Sequence, residues 1–245
     1  MLKIDMRRRQ ILELVERDGQ VAVSRLSALF DTTPATIRND LTALENEGRL
    51  VRVQGGAKRA PRQAGLGENA AEKQAIGQRI AGFVRNGDRL FINSGTTALA
   101  AAQALRGFSE LHVITNALAV AQLLGEQFHV LLLGGELNAR YGFTHGDDAL
   151  TQLTRYQADW AVLSVDSISA SEGVTLCHSE ETAVSRRMLD RAARGIIAAD
   201  HTKVGRAGFV RFCAAERPLT LVTDQAANRR ELTQLEEKVV EICIG

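Results

Sequence analysis

The chain has 245 residues, which suits one large domain or a small domain joined to a medium one. Hydrophobic residues make up 45% and charged residues 24%, as in ordinary globular proteins, and no apolar run reaches the roughly 18 residues that a membrane span needs. The three cysteines are far apart, so the sequence indicates buried thiols rather than disulfides or a zinc cage. No signal peptide is recognisable at the N-terminus, so we expect a cytoplasmic protein. We also predict that the protein carries no cofactor.

Charge is spread unevenly, although the net charge is only +1. Residues 1–62 hold 12 lysine and arginine residues against 8 acidic residues, a balance of +4, whereas the remainder holds 18 against 21, a balance of −3. A basic front and a mildly acidic back fit a nucleic-acid-binding module joined to something else.

Three apolar faces at helical spacing fall within the first 45 residues. They are formed by Ile11, Leu12, Leu14 and Val15, then by Val23, Leu26, Leu29 and Phe30, and then by Ile37, Leu41 and Leu44. Thr33 can cap the third helix with its hydroxyl group, and Pro34 fits the first helical position, where a missing N–H is harmless. An alternating segment with a glycine turn follows at 49–58 and predicts a pair of short strands.

A helix, a tight turn and a capped second helix form a helix-turn-helix, in which the second helix reads base edges with its N-terminal residues. Because the apolar stripe of the third helix must face inward, its first polar residues face outward. The segment 49–62 carries five basic residues and no acidic one, as expected of a wing along the phosphate backbone. The candidate DNA contacts are Thr33, Ala35, Thr36, Arg38, Asn39, Arg49, Arg52, Gln54, Lys58 and Arg59. A small helical dimerisation domain is the alternative.

Beyond a polar, glycine-containing stretch after Pro61, short apolar runs alternate with helical patterns. The runs lie at 90–93, 113–115, 130–133, 161–165, 196–199, 219–223 and 239–244. Most are apolar on both faces, which predicts a buried parallel sheet covered by helices. We therefore predict a winged helix-turn-helix at 1–60, a linker at 61–71 and a larger parallel-sheet α/β domain at 72–245.

The run at 90–93 leads through a glycine turn into a helix, and the N-terminus of a helix favours an anion such as phosphate. A plain strand-to-helix turn is the alternative, and no lysine follows as in a Walker A loop. Ligands of open α/β sheets bind beyond the carboxyl ends of the strands. Candidate ligand-binding residues at these ends are Ser94, Gly95, Thr96, Thr97, Thr115, Asn116, Gly134, Gly135, Asp166 and Lys203. Their donors and acceptors match a sugar phosphate.

The segment DTTPATIRNDLTALENEGRLVRVQGGA at 31–57 resembles the N-terminal signature of the DeoR family of bacterial repressors. The matching positions are Thr36-Ile37-Arg38-Asn39-Asp40-Leu41, Leu44, Gly48, Arg52 and Gly55-Gly56-Ala57. Asn39 stands where arginine is usual and Gln54 where histidine is usual, so we expect a different operator sequence. Asp40 is expected to cap or pair locally and to position Arg38.

Residues 72–245 also resemble the DeoR effector domain. The matching pieces are Glu72-Lys73, Gly87-Asp88, Ser94-Gly95-Thr96-Thr97, Thr115-Asn116, Gly134-Gly135, Gly146, Asp166, Glu181 and Asp200-His201-Thr202-Lys203. The resemblance implies a fold like ribose-5-phosphate isomerase, and it adds Asn93 and Glu181 to the candidate effector-binding residues. It implies a repressor of a carbohydrate-utilisation operon that a phosphorylated sugar releases from double-stranded operator DNA. Residues 173–188 look closest to members that control amino-sugar or sugar-alcohol use.

Symmetric operators require symmetric proteins, so a homodimer or homotetramer is expected. An isomerase-like enzyme with a DNA-binding module is the alternative function, with Asp166, Glu181 and Lys203 as acid, base and electrostatic stabiliser. Because the DNA module makes catalysis unnecessary, we predict that the chain is not an enzyme and has no catalytic residue. The histidines lack metal-ligand spacing, and we predict no metal site.

Overall fold

The computed structural model describes residues 3–46, 50–59, 66–215, 219–238 and 240–245. The chain divides into two compact units, Met1–Gln63 and Ala64–Gly245. Among the described residues, no helix has the length and apolar character that crossing a membrane requires. The boundaries predicted at 60 and 72 stay a prediction, because residues 60–65 lie outside the described residues.

The first unit has the element order of a winged helix. Its elements are α1 (Lys3–Asp18), β1 (Gln20–Ala22), α2 (Val23–Leu29), α3 (Pro34–Asn46), β2 (Leu50–Val53) and β3 (Gly56–Arg59). The strands form an antiparallel sheet in the order β1-β3-β2. All three predicted apolar faces contribute to one core, which contains Ile11, Leu26 and Ile37. Leu29 differs from its prediction, since it ends the short helix α2 and is 59% exposed.

Two adjacent glycines shape the wing, which is the hairpin of β2 and β3. Gly55 has φ +79°, a left-handed conformation that glycine adopts without steric cost. Gly56 lies against β1, where a Cβ atom would stand 2.1 Å from the carbonyl oxygen of Val21. The wing therefore packs onto β1 because residue 56 has no side chain.

The second unit alternates strands and helices along most of its length. The elements are α4 (Ala70–Ala81), β4 (Arg89–Ile92), α5 (Thr96–Ala104), β5 (His112–Thr115), α6 (Leu118–Leu124), β6 (His129–Leu132), β7 (Glu136–Asn138), β8 (Phe143–His145), α7 (Asp147–Leu153), β9 (Ala158–Ser164), β10 (Ser167–Ser169), β11 (Gly173–Leu176), α8 (Ser179–Asp190), β12 (Ala192–Ala198), β13 (Val210–Cys213), β14 (Leu219–Thr223), α9 (Arg229–Glu236) and β15 (Val240–Ile244).

A parallel sheet of seven strands lies at the centre, in the order β15-β14-β12-β9-β4-β5-β6. Each of the seven predicted apolar runs overlaps one of these strands, and residue 239 of the last run lies outside the described residues. The N-terminal bounds of β9 and β12 extend three and four residues beyond the predictions. After β4 the chain adds β5 and β6 on one side of this strand, and it later adds β9 on the other side. The pair β4 and β9 is therefore the topological switch point of the sheet.

Helices cover both faces of the sheet. Adjacent residues of β4 face opposite ways, since Ile92 belongs to the core beneath α4, α5 and α6 and Phe91 to the core beneath α7, α8 and α9. Both side chains are fully buried, as are Ile80 and Met188 from helices of the two layers. This arrangement confirms the predicted parallel α/β fold.

Short strands that the apolar pattern did not predict lie near the carboxyl ends of the sheet strands. The hairpin β7–β8 is fixed there because the N–H of Thr144 donates to the carbonyl of Asn116, which follows β5, at 2.8 Å. A second small sheet, in the order β10-β11-β13, follows β9, and Asp166 donates its N–H to Thr175 in it. These segments flank the edge where the sequence predicts a ligand.

Candidate functional site

The helix α3 begins with the predicted cap. The hydroxyl oxygen of Thr33 accepts a hydrogen bond from the backbone N–H of Thr36 at 3.2 Å, and the two threonine hydroxyl groups are 2.9 Å apart. Pro34 occupies the first helical position. The cap fixes the N-terminal turn, which in a helix-turn-helix approaches the bases.

The outward face of α3 is exposed as predicted. Ala35, Arg38 and Asn39 are exposed and Thr36 is half-buried, whereas the apolar stripe on the same helix is completely buried. We call Ala35, Thr36, Arg38 and Asn39 the reading face. Arginine and asparagine are the residues that form bidentate hydrogen bonds with guanine and adenine, so this face has the chemistry for direct readout.

The wing presents further polar groups. Gln54 at its turn and Lys58 on β3 are exposed. Arg52 is also exposed, but its guanidinium donates to the hydroxyl of Thr42 on α3 at 3.1 Å, and its N–H donates to Glu45 at 2.8 Å. Arg52 thus joins the wing to α3. The predicted contacts Arg49 and the side chain of Arg59 lie outside the described residues.

The expectation that Asp40 caps or pairs locally is wrong, because its partners lie on another helix. It is 3% exposed, and its two carboxylate oxygens accept hydrogen bonds from Nε of Arg7 at 2.6 Å and of Arg8 at 3.0 Å. Both arginines belong to α1, more than 30 residues earlier in the chain. Asp40 therefore anchors α3 to α1, and the described contacts assign it no direct bond to Arg38.

At the switch point of the second unit, β4 passes into α5 through Ser94 and Gly95. Gly95 has φ +126°, and a Cβ atom there would lie 2.6 Å from the Oγ atom of Ser164 at the end of β9. In the described structure, no side chain forms a capping hydrogen bond at the start of α5, which begins at Thr96. The N-terminal N–H groups of this helix are therefore suited to an external anion.

Glu181, in the first turn of α8, reaches the same turn. It is 8% exposed, and the hydroxyl of Ser94 donates a hydrogen bond to its Oε1. Burial raises the pKa of Glu181 to about 7; the hydrogen bond from Ser94 opposes this rise, and the negative charge of Asp166 adds to it. Near neutral pH this carboxyl group therefore exists in both protonation states.

Asp166 and Lys203 complete a charged group around Cys177. Oδ2 of Asp166 accepts the backbone N–H of Cys177 at 2.7 Å. Cys177 is exposed, contrary to the expected buried thiol, although partial burial and a hydrogen bond with Asp166 raise its pKa. The charge of Lys203 opposes that rise, and that of Glu181 adds to it. The bridge between Ile168 and Val204 places the residue after Lys203 beside β10, next to Asp166. We call Ser94, Gly95, Asp166, Glu181 and Lys203 the sensor edge.

Asn93 was predicted to contact the ligand, but its amide group forms hydrogen bonds within the protein. Its Nδ2 donates to the carbonyl of Ser164 at 2.9 Å and to the hydroxyl of Ser185 at 3.0 Å, while its Oδ1 accepts the N–H of Ser164 at 2.8 Å. Asn93 is fully buried. It clamps β4 to β9 and α8, and so positions the sensor edge.

The remaining predicted residues also bond to the scaffold. Thr97 and Thr115 are buried, and the hydroxyl of Thr115 accepts the N–H of Ala117 at 3.0 Å. Asn116 donates from Nδ2 to the carbonyl of Thr144 at 3.0 Å. The N–H of Gly134 donates to Gln152 at 3.1 Å, and Gly135 has φ +121°. Asn116 holds the hairpin β7–β8 through Thr144, Gly134 is bonded to α7, and no described contact joins these residues to Glu181.

Sequence reasoning missed Ser164 and Ser185, which hold Asn93, and Cys177, which joins Asp166. The contacts of Asn93 with Ser164 and Ser185 join residues 71 and 92 positions apart that the sheet order brings together, whereas Cys177 meets Asp166, 11 residues earlier, beside the β10–β11 hairpin. The carboxyl ends of predicted strands were the available signal, and it found Ser94, Gly95 and Asp166.

The two units match two described families. Residues 7–63 match the DeoR-like helix-turn-helix domain, and residues 68–225 match the DeoR C terminal sensor domain. The Glycerol-3-phosphate regulon repressor of Escherichia coli strain K12 is 30% identical, with 91% of this chain and 92% of that protein covered. The transcriptional regulator GolR of Listeria innocua is 31% identical, with 91% of each covered, and the repressor GlcR of Bacillus subtilis is 29% identical, with 96% and 93% covered.

Among solved structures, ribose 5 phosphate isomerase A from Neisseria gonorrhoeae has a TM-score of 0.38 and 13% identity, with 54% of this chain and 52% of that chain covered. This likeness is too distant to argue for activity. The matched families and relatives are regulators, so the chain is a regulator rather than an isomerase. The chain belongs to the DeoR family of bacterial transcriptional repressors.

Proposed function

We propose that the chain represses a carbohydrate-utilisation operon and that a phosphorylated sugar, bound at the sensor edge, releases it from its operator. The observation that carries this proposal is the start of α5 at the switch point, where Gly95 has no side chain and no described side chain caps the helix. The helix dipole and the N–H groups favour a phosphate there, and the ammonium of Lys203 adds a positive charge nearby.

The carboxyl groups of the same edge suit the hydroxyl groups of a sugar. Asp166 is a hydrogen-bond acceptor at this edge, and Glu181 can both accept and donate near neutral pH because of its raised pKa. A protonated Glu181 also repels a neighbouring phosphate less than a charged one. One relative is named as the repressor of a glycerol-3-phosphate regulon, and glycerol 3-phosphate is a phosphorylated polyol. This name supports a phosphorylated sugar or polyol as the class of effector.

At the other end of the chain, we propose that the reading face enters the major groove and that Arg52, Gln54 and Lys58 of the wing follow the phosphate backbone. The exposure of Arg38 and Asn39 supports this assignment. Thr33 and Thr36 would fix the first turn of α3 at the groove.

We further propose that the repressor is a homodimer or homotetramer, because helix-turn-helix proteins read two half-sites about one helical turn apart through their own symmetry. Light scattering after size-exclusion chromatography should give a mass of two or four chains. A monomer that keeps full operator affinity would contradict this part of the proposal.

Fluorescence anisotropy with a labelled fragment from upstream of the chain's own gene tests the proposal. The ligands are glycerol 3-phosphate, ribose 5-phosphate, glucose 6-phosphate, glucosamine 6-phosphate and sorbitol 6-phosphate, each with its unphosphorylated counterpart as control. We expect one phosphate ester to weaken operator binding by at least about fivefold, the lower end of usual allosteric couplings. Its unphosphorylated counterpart should have no effect.

The variant Lys203→Gln identifies the site. It should bind the operator as the wild type does and should require a higher concentration of the active ester for release. Release by the unphosphorylated sugar, an unchanged response of Lys203→Gln, or no response to any ester would each contradict the proposal.

A further inference from the structure

The ammonium group of Lys73 is buried at the start of α4. Lys73 is 6% exposed, and its Nζ donates to the carbonyl oxygens of Leu66 at 2.9 Å and Glu68 at 2.5 Å. A buried ammonium group requires such partners, since a buried charge without them is costly. Leu66 and Glu68 belong to the predicted linker, 61–71, so Lys73 fixes the end of the linker to the second unit.

The same ammonium group faces Asp200 from 3.9 Å, and Asp200 is 1% exposed. Oδ1 of Asp200 accepts the backbone N–H of Thr202 at 3.0 Å and the side-chain N–H of Asn69 at 3.4 Å. Asp200 therefore caps the single helical turn His201–Lys203, which carries Lys203 of the sensor edge. One carboxylate contacts both the end of the linker and the turn of the sensor edge.

The linker end is held in an unusual conformation. Gly67 has φ +66°, and Asn69, a residue with a side chain, has φ +56°. Asparagine adopts left-handed backbone angles more readily than most residues with a side chain, so this conformation costs little at position 69. The bonds from Lys73 to Leu66 and Glu68, and the contact of Asn69 with Asp200, hold the linker end in this conformation.

The charge of Lys203 also acts on Lys73. Burial lowers the pKa of Lys73, the charge of Asp200 raises it, and the charge of Lys203 lowers it further. The ammonium groups of Lys73 and Lys203 therefore repel each other, and Lys203 lies on the turn that Asp200 caps. An anion bound to Lys203 reduces their repulsion and changes the balance of contacts at Asp200.

We propose that Lys73 is a positioning residue that couples ligand binding at the sensor edge to the linker, through Asp200 and the turn His201–Lys203. This inference rests on the proposed function. Phosphate binding moves Lys203 and its turn, Asp200 moves with them, and Lys73 transmits the change to Leu66 and Glu68. In this role Lys73 contacts no ligand atom.

The test compares the full-length variants Lys73→Met and Lys73→Arg with the wild type. Methionine keeps the length of the side chain without its charge, arginine keeps the charge, and Lys238→Met, two residues beyond the end of α9, is the control for the same change at another lysine. The probes are inorganic phosphate and the ester that releases the wild-type protein. Calorimetry gives the probe affinity, and anisotropy gives operator affinity with and without the probe.

We expect Lys73→Met to bind the probe alone and the operator alone with affinities within about threefold of the wild type. The factor by which the probe weakens operator binding should fall from the usual range of about 5 to 150 to near unity. Lys73→Arg should retain part of the factor, and Lys238→Met all of it. An unchanged factor in Lys73→Met would overturn the inference. Should Lys73→Met fail to fold, Asn69→Ala, which removes the other linker contact to Asp200, must lower the factor.

Hydrogen exchange without any ligand separates this inference from the proposed function. In Lys73→Met, the amides of Thr202 and Lys203, which donate to Asp200, should exchange faster than in the wild type. Unchanged exchange at this turn would overturn the coupling. If no ester releases the wild-type protein, the proposed function fails, and the exchange result alone decides whether Lys73 and the turn are linked.

Discussion

The reading face and the sensor edge hold their polar groups in opposite ways. On the reading face, Arg38 and Asn39 are exposed and are supported by a separate, buried apolar stripe. At the sensor edge, Ser94 and Glu181 are buried and already bonded to each other. The difference implies that substitutions on the reading face change DNA affinity and leave stability intact, whereas substitutions at the sensor edge change stability as well as ligand binding.

The largest effect is expected at Gly95. In Gly95→Ala, the Cβ atom would lie 2.6 Å from Oγ and 2.7 Å from Cβ of Ser164, at a φ of +126°. Steric crowding and backbone strain together should lower the free energy of unfolding of the second unit by about 2–4 kcal/mol. Urea denaturation measures the loss.

The matched control is Gly87→Ala, where φ is +83° and no atom lies within 4 Å of the added Cβ. This variant carries the backbone strain alone and should lose about 1 kcal/mol. Equal losses in the two variants would show that the contact between Gly95 and Ser164 is unimportant.

Glu181→Gln should change how stability depends on pH. The folded-state pKa of Glu181, about 7, exceeds the ordinary value of 4.5, so the folded state holds a proton that the unfolded state releases between these values. Wild-type stability from this group is complete below pH 4.5 and is lost as pH rises through 7. Relative to the wild type, Glu181→Gln should gain about 3 kcal/mol of stability between pH 4.5 and pH 8.5.

Denaturation of both proteins at several pH values checks this sign. Glu180→Gln, one residue earlier and exposed, is the control and should show no such gain. A stability difference between wild type and Glu181→Gln that does not vary with pH would rule out a buried, protonated Glu181.

On the reading face, Arg38→Ala should weaken operator binding by about 2 kcal/mol, roughly thirtyfold, because a bidentate contact to guanine is worth about 1–3 kcal/mol. Its melting temperature should equal that of the wild type. Arg230→Ala, on the exposed start of α9, is the control in the anisotropy measurement. Equal loss of affinity on random duplex would instead assign Arg38 to the phosphate backbone.

Asp40 lies in the recognition helix but resembles the sensor edge in its burial. Asp40→Ala removes the partner of Arg7 and Arg8, whose side chains are 19% and 30% exposed and can regain water. The first unit should therefore lose about 1–2 kcal/mol of stability, and circular dichroism during thermal unfolding measures it. An unaffected melting temperature combined with lost operator affinity would place Asp40 in the DNA contact.

The smallest effect is expected for Lys58 on the wing. Lys58→Ala should weaken operator and random DNA alike by less than about 1 kcal/mol, and it should reduce the slope of log affinity against log salt by about 0.9. A loss confined to the operator would mean that Lys58 reads bases.

The comparison also explains what the sequence could predict. Local patterns suffice for the cap at Thr33, the apolar stripe of α3 and the seven strands, because each depends on neighbours within a few residues. The partners of Asp40, Asn93 and Lys73 depend on packing and on the sheet order. The contacts of Asp40 and Asn93 join residues between 32 and 92 positions apart, and such contacts have no local signal. The short strands beside the sensor edge were missed because polar residues interrupt them, as in β7 (Glu136–Asn138) and β10 (Ser167–Ser169), so they form no continuous apolar run.

The central claim is that one protein binds operator DNA and a phosphorylated sugar at two sites that oppose each other, and reciprocal titration tests it most directly. One experiment measures the factor by which the sugar phosphate weakens operator binding, and the other measures the factor by which operator DNA weakens sugar-phosphate binding. Thermodynamic linkage predicts equal factors, both well above unity. Two factors of unity, with both ligands bound, would contradict the account.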